Sequence, residues 1–566
     1  MSKNVIRSLI CLLLIALLLP VWACTKNEES ESVSGTTSSQ AEDVTTSEPA
    51  PDPIEIVTPT VYLMAGESYE LTYKTEGTRD EAVWSSSSDC VTVENGVITA
   101  VKEGFSHISA NGGNECLVYV LSDKLSTVTV KTASGQKITS RDVYVSCHVS
   151  VNSDNDEYDM KEVSANIRLR GNSTFYTPEK KSYRIKFTSK TNMLGMNEGA
   201  ECKSWVLLAE WFDDTLLRDP VAYTLAPMIM DEYSSDYRFV RLKIDGKYMG
   251  VFLLAEQCQI HPERVNIEEA GEESSSLMSG YMFEVNSSDE FDPTKSFKVY
   301  HEPYEIRDLN GVLFTGAAGR DGERAHYMTL KNNKFTKNQL AFSKYYLRAV
   351  FEILYQATYN NVALEFKYDF INDPSKAQRF LSICNGDGDH MAGLTESKTK
   401  TPQEAIEAVI DIDSLVNTYI FNQIMCNADA FWRSFYFWVD LSENGSKKLV
   451  FGCPWDHDGA TVTWSTFDYR AVDEYFDPRM NVWLMIPMVN DWFKELVYER
   501  WAEVYEKNNG FELIFKLIES ITNTYASEFS AEQKLWNRQV AQKDQAENTY
   551  NWFKDRIAWI NSEFDK

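Results

Sequence analysis

Arg170-Gly171-Asn172-Ser173-Thr174, followed by Lys180-Lys181-Ser182-Tyr183-Arg184-Ile185-Lys186-Phe187, is the stretch on which the reading of this chain turns. The second segment alternates apolar and charged residues, which predicts a half-buried strand. Period two puts Lys181 on the face of Tyr183, Ile185 and Phe187, where an ammonium needs an anionic partner. Shifted by one face, Arg184 and Lys186 become the inward cations, and both registers stay open. The loop before it follows a strand over 164–169. It offers a glycine, backbone N–H groups, two hydroxyls and a guanidinium, a set that can cradle phosphate. Taken alone it also reads as a polar turn closing a hairpin.

Outward from this stretch, strand signals come first and helix signals afterwards. Asp245-Gly246 between two alternating apolar runs, Arg241 to Leu254, is a strong hairpin signal. From about Lys337 the pattern turns helical, and Asn490 to Lys566 carries Trp, Tyr and Leu at spacings of three and four. Residues 122–566 are therefore expected to form an α+β domain with a sheet-rich first half and a helical second half. Upstream, 54–121 has short alternating stretches separated by turns, which predicts a small β-sandwich. Residues 25–53 are nearly all Ser, Thr, Glu, Ala and Pro and are expected to be a disordered tether. In residues 1–24, Lys3 and Arg7 precede an apolar run from Leu9 to Leu19 that ends in Ala23-Cys24. This is a secretory signal, and the ending resembles a bacterial lipobox. Cys24 is thus the expected lipidation site, which would place the protein on the outer face of a cell membrane.

The chain carries 55 Lys+Arg against 84 Asp+Glu, a formal charge of −29 over 566 residues. That acidic excess argues against binding nucleic acid, whose phosphates require clustered cations. It leaves room for a nucleotide. Of the ten cysteines none forms a CxxC pair, so structural zinc is not expected. Cys90 with Cys116 is the disulfide to expect in the small β region.

Two segments carry acidic chemistry. Asp429 lies in Asn427-Ala428-Asp429, between a helix over 414–425 with Asp411 or Asp413 as N-cap and the strand-like Phe435-Tyr436-Phe437-Trp438. This is a placement suited to a general base or a metal ligand. Asp456 and Asp458 stand two apart in Pro454-Trp455-Asp456-His457-Asp458, after an apolar strand, as a pair for Mg²⁺ or Mn²⁺. A helix-end turn and an Asx turn are the plain alternatives. Asn385 to Glu396 has a calcium-loop spacing but places His390 where a glycine belongs, and Gly316 to Gly322 reads as a surface loop.

Taken in order, the segments 170–174, 180–186, Trp205 to Asp214 with Leu216-Leu217-Arg218-Asp219, Gly246 to Glu256, 427–429 and 454–458 resemble the spore coat protein H (CotH) kinase-like family. Residues 83–108 resemble bacterial immunoglobulin-like domains, which would serve as spacers or bind a cell-envelope ligand. The first resemblance implies an atypical protein-kinase fold that transfers phosphate from ATP, with Mg²⁺ or Mn²⁺, to Ser or Thr of a protein substrate. It implies nucleotide binding by Arg170, Asn172, Ser173, Lys181 or Arg184, and Glu256 near the adenine. It also implies Asp429 as the catalytic residue and Asp456 with Asp458 as the metal pair. Asp219, where many relatives have Asn, and Ser434, where a kinase carries a metal-binding Asn, depart from the pattern. A non-catalytic surface adhesion or assembly protein is the competing reading, because kinase-like folds can keep binding and lose catalysis.

Overall fold

The structure is a computed structural model that describes residues 53–74, 82–176, 179–271, 273–300, 304–308, 310–313, 325–383, 390–431, 433–461, 472–476 and 481–564. Its organising element is a seven-stranded closed barrel. The strands are β1 (Ser126–Thr132), β2 (Val145–Asn152), β3 (Met160–Arg170), β4 (Ser182–Thr191), β5 (Cys202–Leu208), β6 (Tyr237–Ile244) and β7 (Lys247–Glu256). They run in the order β1-β2-β3-β4-β5-β7-β6, and a parallel pairing of β1 with β6 closes the ring. Closure leaves no free edge. Asp245 and Gly246, both at positive φ (47° and 82°), make the tight turn between β6 and β7. The Asp245 carboxylate accepts from Thr132 N and Thr132 Oγ1, both at 2.7 Å, and so pins the turn to β1.

The alternation on β4 decides the face left open by the sequence. Tyr183, Ile185 and Phe187 point into the barrel core with Val128, Ile167, Leu169, Trp205 and Leu254, and Arg184 points outward. Lys181 precedes the strand and donates to Phe175 O at 2.6 Å. The buried cation is its neighbour Lys180, 2% exposed, whose Nζ meets Glu532 Oε1 at 2.7 Å and Ala209 O at 2.8 Å.

A second, five-stranded sheet lies beyond the barrel. It is built from β8 (Gly280–Asn286), β9 (Ser296–Tyr300), β10 (Ala325–Leu330), β11 (Phe435–Asp440) and β12 (Leu449–Phe451), ordered β9-β10-β8-β11-β12. Helices follow: α1 (Arg218–Ile229) between the barrel strands, α2 (Lys337–Asn360), α3 (Ile412–Met425), α4 (Asp491–Lys507), α5 (Glu512–Thr524), α6 (Ala526–Leu535) and α7 (Gln542–Phe564). Asp411 caps α3 by accepting from Ser414 N at 3.0 Å. The architecture is mixed α and β, rich in sheet first and in helix at the end. Among the described residues no helix is long and apolar enough to cross a membrane.

The described strands of 54–121 form three small sheets, Thr60–Met64 with Cys116–Leu121, Gly104–Ala110 and Trp84–Ser86, then Ser68–Glu70 with Val97–Ala100 and Val91–Glu94, and the pair Glu55–Ile56 with Tyr73–Lys74. They share one core with the barrel exterior and the helices, and residues 51–566 form a single compact unit. At the junction Tyr62 stacks on Tyr119 and Tyr237, with centroids at 4.9 and 5.5 Å, and donates to Asp236. The expected Cys90–Cys116 disulfide does not form; both are buried free thiols. Cys90 lies on the loop leading into Val91–Glu94 and Cys116 on the strand Cys116–Leu121, in different sheets. The disulfide instead joins Cys258, just past β7, to Cys453, just past β12, across 195 positions. Cys24 and residues 25–52 of the tether, like 316–322 and residues 385–389 of the calcium-like loop, lie outside the described residues.

Candidate active site

The outer barrel face, the second sheet and the loop after α3 enclose a cleft of about 560 Å³. Arg170, Asn172, Ser173, Arg184, Asp429, Asp456 and Asp458 all line it, so segments nearly 300 positions apart converge on one site. Lys181 and Glu256 are not among the lining residues. Glu256 is fully buried and holds Arg264 Nε at 2.9 Å and Asn197 Nδ2 at 3.1 Å, which makes it part of the scaffold at the end of β7.

One wall is basic. β3 and β4 pair with Arg168 opposite Arg184 and Arg170 opposite Ser182, so cations face each other across the ladder where like charges repel. Arg141 joins them from the loop before β2. None of the four forms an ion pair among the described residues. Arg168 donates to Arg141 O, Arg184 Nη2 to Ser204 Oγ at 3.2 Å, and Arg170 stacks over Trp455 at 5.3 Å. Burial, together with Arg168 and Arg170 alongside, pulls the Arg184 guanidinium below its ordinary value. Gly171, at φ 90°, closes the loop at the end of this wall, where a Cβ would collide with Thr174 Oγ1.

The opposite end is acidic. Asn427, after the left-handed cap Cys426, donates to Asp456 O and meets His457 Nδ1, both at 3.1 Å, and accepts from Asp429 N at 3.1 Å. It thereby ties the two acidic segments together. His457 N donates to Asp219 Oδ1 at 2.7 Å, and Arg218 Nη1 reaches Asp458 O at 3.2 Å, which anchors the Asp456-to-Asp458 turn on α1. Ser434 Oγ donates to Asp456 Oδ2 at 3.0 Å. Burial and then the Asp456 carboxylate push both Asp429 and Asp219 up to about 7. Asp458 and Glu210 are driven well above the carboxylate range by burial and by neighbouring carboxylates. Burial lowers His457 to about 3, so it is neutral. Glu210, Ser434, Cys453 and Asp456 all hold positive φ (48° to 65°), a concentration of backbone strain of the kind kept at functional sites.

The donor set suits a hard divalent cation. It offers carboxylate oxygens only, crowded together, and Glu210 Oε2 is buried without a hydrogen-bond partner among the described residues. Those residues contain no group of three or more His, Cys, Asp or Glu that could hold a metal by itself. Two carboxylates completed by phosphate oxygens and water are a usual arrangement for Mg²⁺.

A family model for CotH kinase protein matches residues 167–310 and 388–560, together more than half of the chain. The chain belongs to the CotH kinase family. The matched segments contain Arg168, Arg170, Arg184, Glu210, Asp219, Asp429, Asp456 and Asp458, so both the basic and the acidic ends of the cleft are family territory. Among curated proteins no match was found. Sequence reasoning missed Arg168, although its i, i+2 spacing to Arg170 on a strand was a usable signal. It also missed Glu210, which nothing local marks, and Arg141, which the antiparallel pairing of β2 with β3 brings beside Arg168.

Proposed function

We propose that this CotH-family chain is an atypical protein kinase that transfers phosphate from ATP to Ser or Thr of a protein, with Mg²⁺ or Mn²⁺, on the outer face of a membrane to which lipid on Cys24 anchors it. The observation that supports this reading is the polarised cleft. Among the described residues, four arginines without carboxylate partners face a crowd of carboxylates without ion-pair partners, and an ATP–metal complex supplies both missing charges at once.

In this reading Arg168, Arg170 and Arg184 take the phosphate chain, with Gly171 to Thr174 offering backbone N–H groups. Asp456 and Asp458 would hold the metal ion, which when bound neutralises phosphate charge. Asp429 accepts the proton of the substrate hydroxyl, a task suited to a carboxylate whose proton affinity sits near neutrality. Asn427 and Ser434 keep the acidic turn in place. Positioning and charge neutralisation do most of the work in such a reaction.

The test is phosphate transfer by the purified protein given ATP with Mg²⁺ or Mn²⁺, read by intact-mass spectrometry beside Asp429→Ala and Asp458→Ala. Added phosphate that disappears in both variants is expected. No added phosphate and no ATP-dependent rise in melting temperature would sink the reading. Membrane release of Cys24→Ala checks the anchor separately.

A further inference from the structure

The cleft wall facing the arginines is the second sheet. Thr329 on β10, Glu284 on β8 and Tyr436 on β11 stand in register across three neighbouring strands, and all three line the cleft together with Lys331. Tyr436 OH donates to Glu284 Oε1 at 2.6 Å and Lys331 Nζ donates to Glu284 Oε2 at 2.6 Å. The carboxylate is therefore engaged at both oxygens. The ammonium has three donors, gives one to Glu284, lies 5.8 Å over the Tyr436 ring and keeps its side chain 28% exposed. Tyr436 also lies within electrostatic reach of Asp456 and Arg170, so this row adjoins the acidic turn. Lys331 falls between the two segments matched by the family model and is not carried by that likeness.

We propose that Lys331 is a catalytic cation on the acceptor side of the cleft, meeting the non-bridging oxygens of the phosphoryl group in transit, and that Glu284 is its positioning residue. The inference rests on the kinase reading. In the transfer the bond from the γ-phosphorus to the β,γ-bridging oxygen breaks and one to the acceptor oxygen forms. The hydroxyl proton passes to Asp429 and ADP leaves with the bridging electrons. Charge in that state spreads over the equatorial oxygens. The arginines reach them from the barrel wall, and Lys331 is placed to reach them from the other. The Glu284–Tyr436 pairing fixes the ammonium beforehand, so little ordering is left for the reaction itself.

The experiment compares the full chain with Lys331→Met, Lys331→Arg and Glu284→Gln. It measures ATP–Mg²⁺ affinity by calorimetry and the rate of self-phosphorylation at saturating ATP by intact mass. Lys331→Met is expected to lose about 100-fold in rate, with ATP affinity within twofold and melting temperature kept. Lys331→Arg should retain part of the rate, and Glu284→Gln should lose less than Lys331→Met. An unchanged rate in Lys331→Met beside an active wild type would reduce the pair to a scaffold contact and overturn the inference alone. A weaker ATP affinity at unchanged rate would assign Lys331 to the donor and overturn it too. If the wild type neither binds ATP nor gains phosphate, the kinase reading fails and this inference falls with it. Should Lys331→Met not fold, the ratio of Lys331→Arg to Glu284→Gln rates decides, with equal wild-type rates in both overturning the proposal.

Discussion

Two sets of arginines on one barrel live in opposite circumstances. At the junction with the N-terminal strands and at the end of β7, Arg238 and Arg264 are buried and each holds a carboxylate, Asp236 at 2.7 Å and Glu256 at 2.9 Å. In the cleft Arg141, Arg168, Arg170 and Arg184 hold none among the described residues, and two of them oppose each other across the ladder. A buried charge left alone is costly, so natural chains pair it or neutralise it. The first set completes the scaffold; the second is complete only when an anion arrives. Charge pairing thus separates residues that support the fold from residues that wait for a ligand.

The comparison breaks most visibly at the paired end. Glu256→Ala should strand Arg264 and cost about 3–5 kcal/mol in denaturant unfolding, with loss of folding near ambient temperature as the extreme outcome. A change below about 1 kcal/mol would show that the pair is not structural. Next in size is the Cys258–Cys453 disulfide, which ties the end of β7 to the turn carrying Asp456. Cys258→Ser with Cys453→Ser should lower stability by about 2–4 kcal/mol and weaken ATP–Mg²⁺ binding as the turn loosens. At the unpaired end the signs reverse. Arg184→Ala should leave folding stability unchanged or slightly raised, since it relieves repulsion, and yet cost about tenfold in ATP affinity, about 1.4 kcal/mol. An equal loss of stability would place Arg184 with the scaffold set.

A pH slope tests the same rule on an acidic group. Burial lifts Glu232 from an ordinary 4.5 up to about 7. The folded state therefore binds this proton more tightly than the unfolded chain. Stability falls as pH rises from about 4.5 to 7 and is level above that. Glu232→Gln should flatten this part of the profile and raise the melting temperature at pH 8 but not at pH 4. A parallel shift at both pH values would show that the carboxyl does not titrate in this window.

What could be read from the sequence followed from local rules. The Asp245-Gly246 turn, the alternation of β4 and the cap of α3 each express a pattern a few residues long, and the structure contains all three. The acidic residues 429, 456 and 458 were visible because each sits on a short polar exit from an apolar element. What escaped was set by closure. Whether Lys180, Lys181 or Arg184 faces inward depends on where β4 starts, and period two alone does not say. Cys258 and Cys453 meet because β7 and β12 end side by side, which no spacing reveals. Lys331 is an ordinary lysine at the end of a strand until the sheet register brings it beside Glu284.

The buried pair of Lys180 and Glu532 also bears on the order in which the molecule can be assembled. A ribosome releases Lys180 long before Glu532, and until α6 docks, that ammonium has no place in a dry interior. The burial of Lys180 against the barrel can therefore be completed only after nearly the whole polypeptide has been made. Chains interrupted short of α6 should remain open and protease-sensitive instead of accumulating as stable fragments.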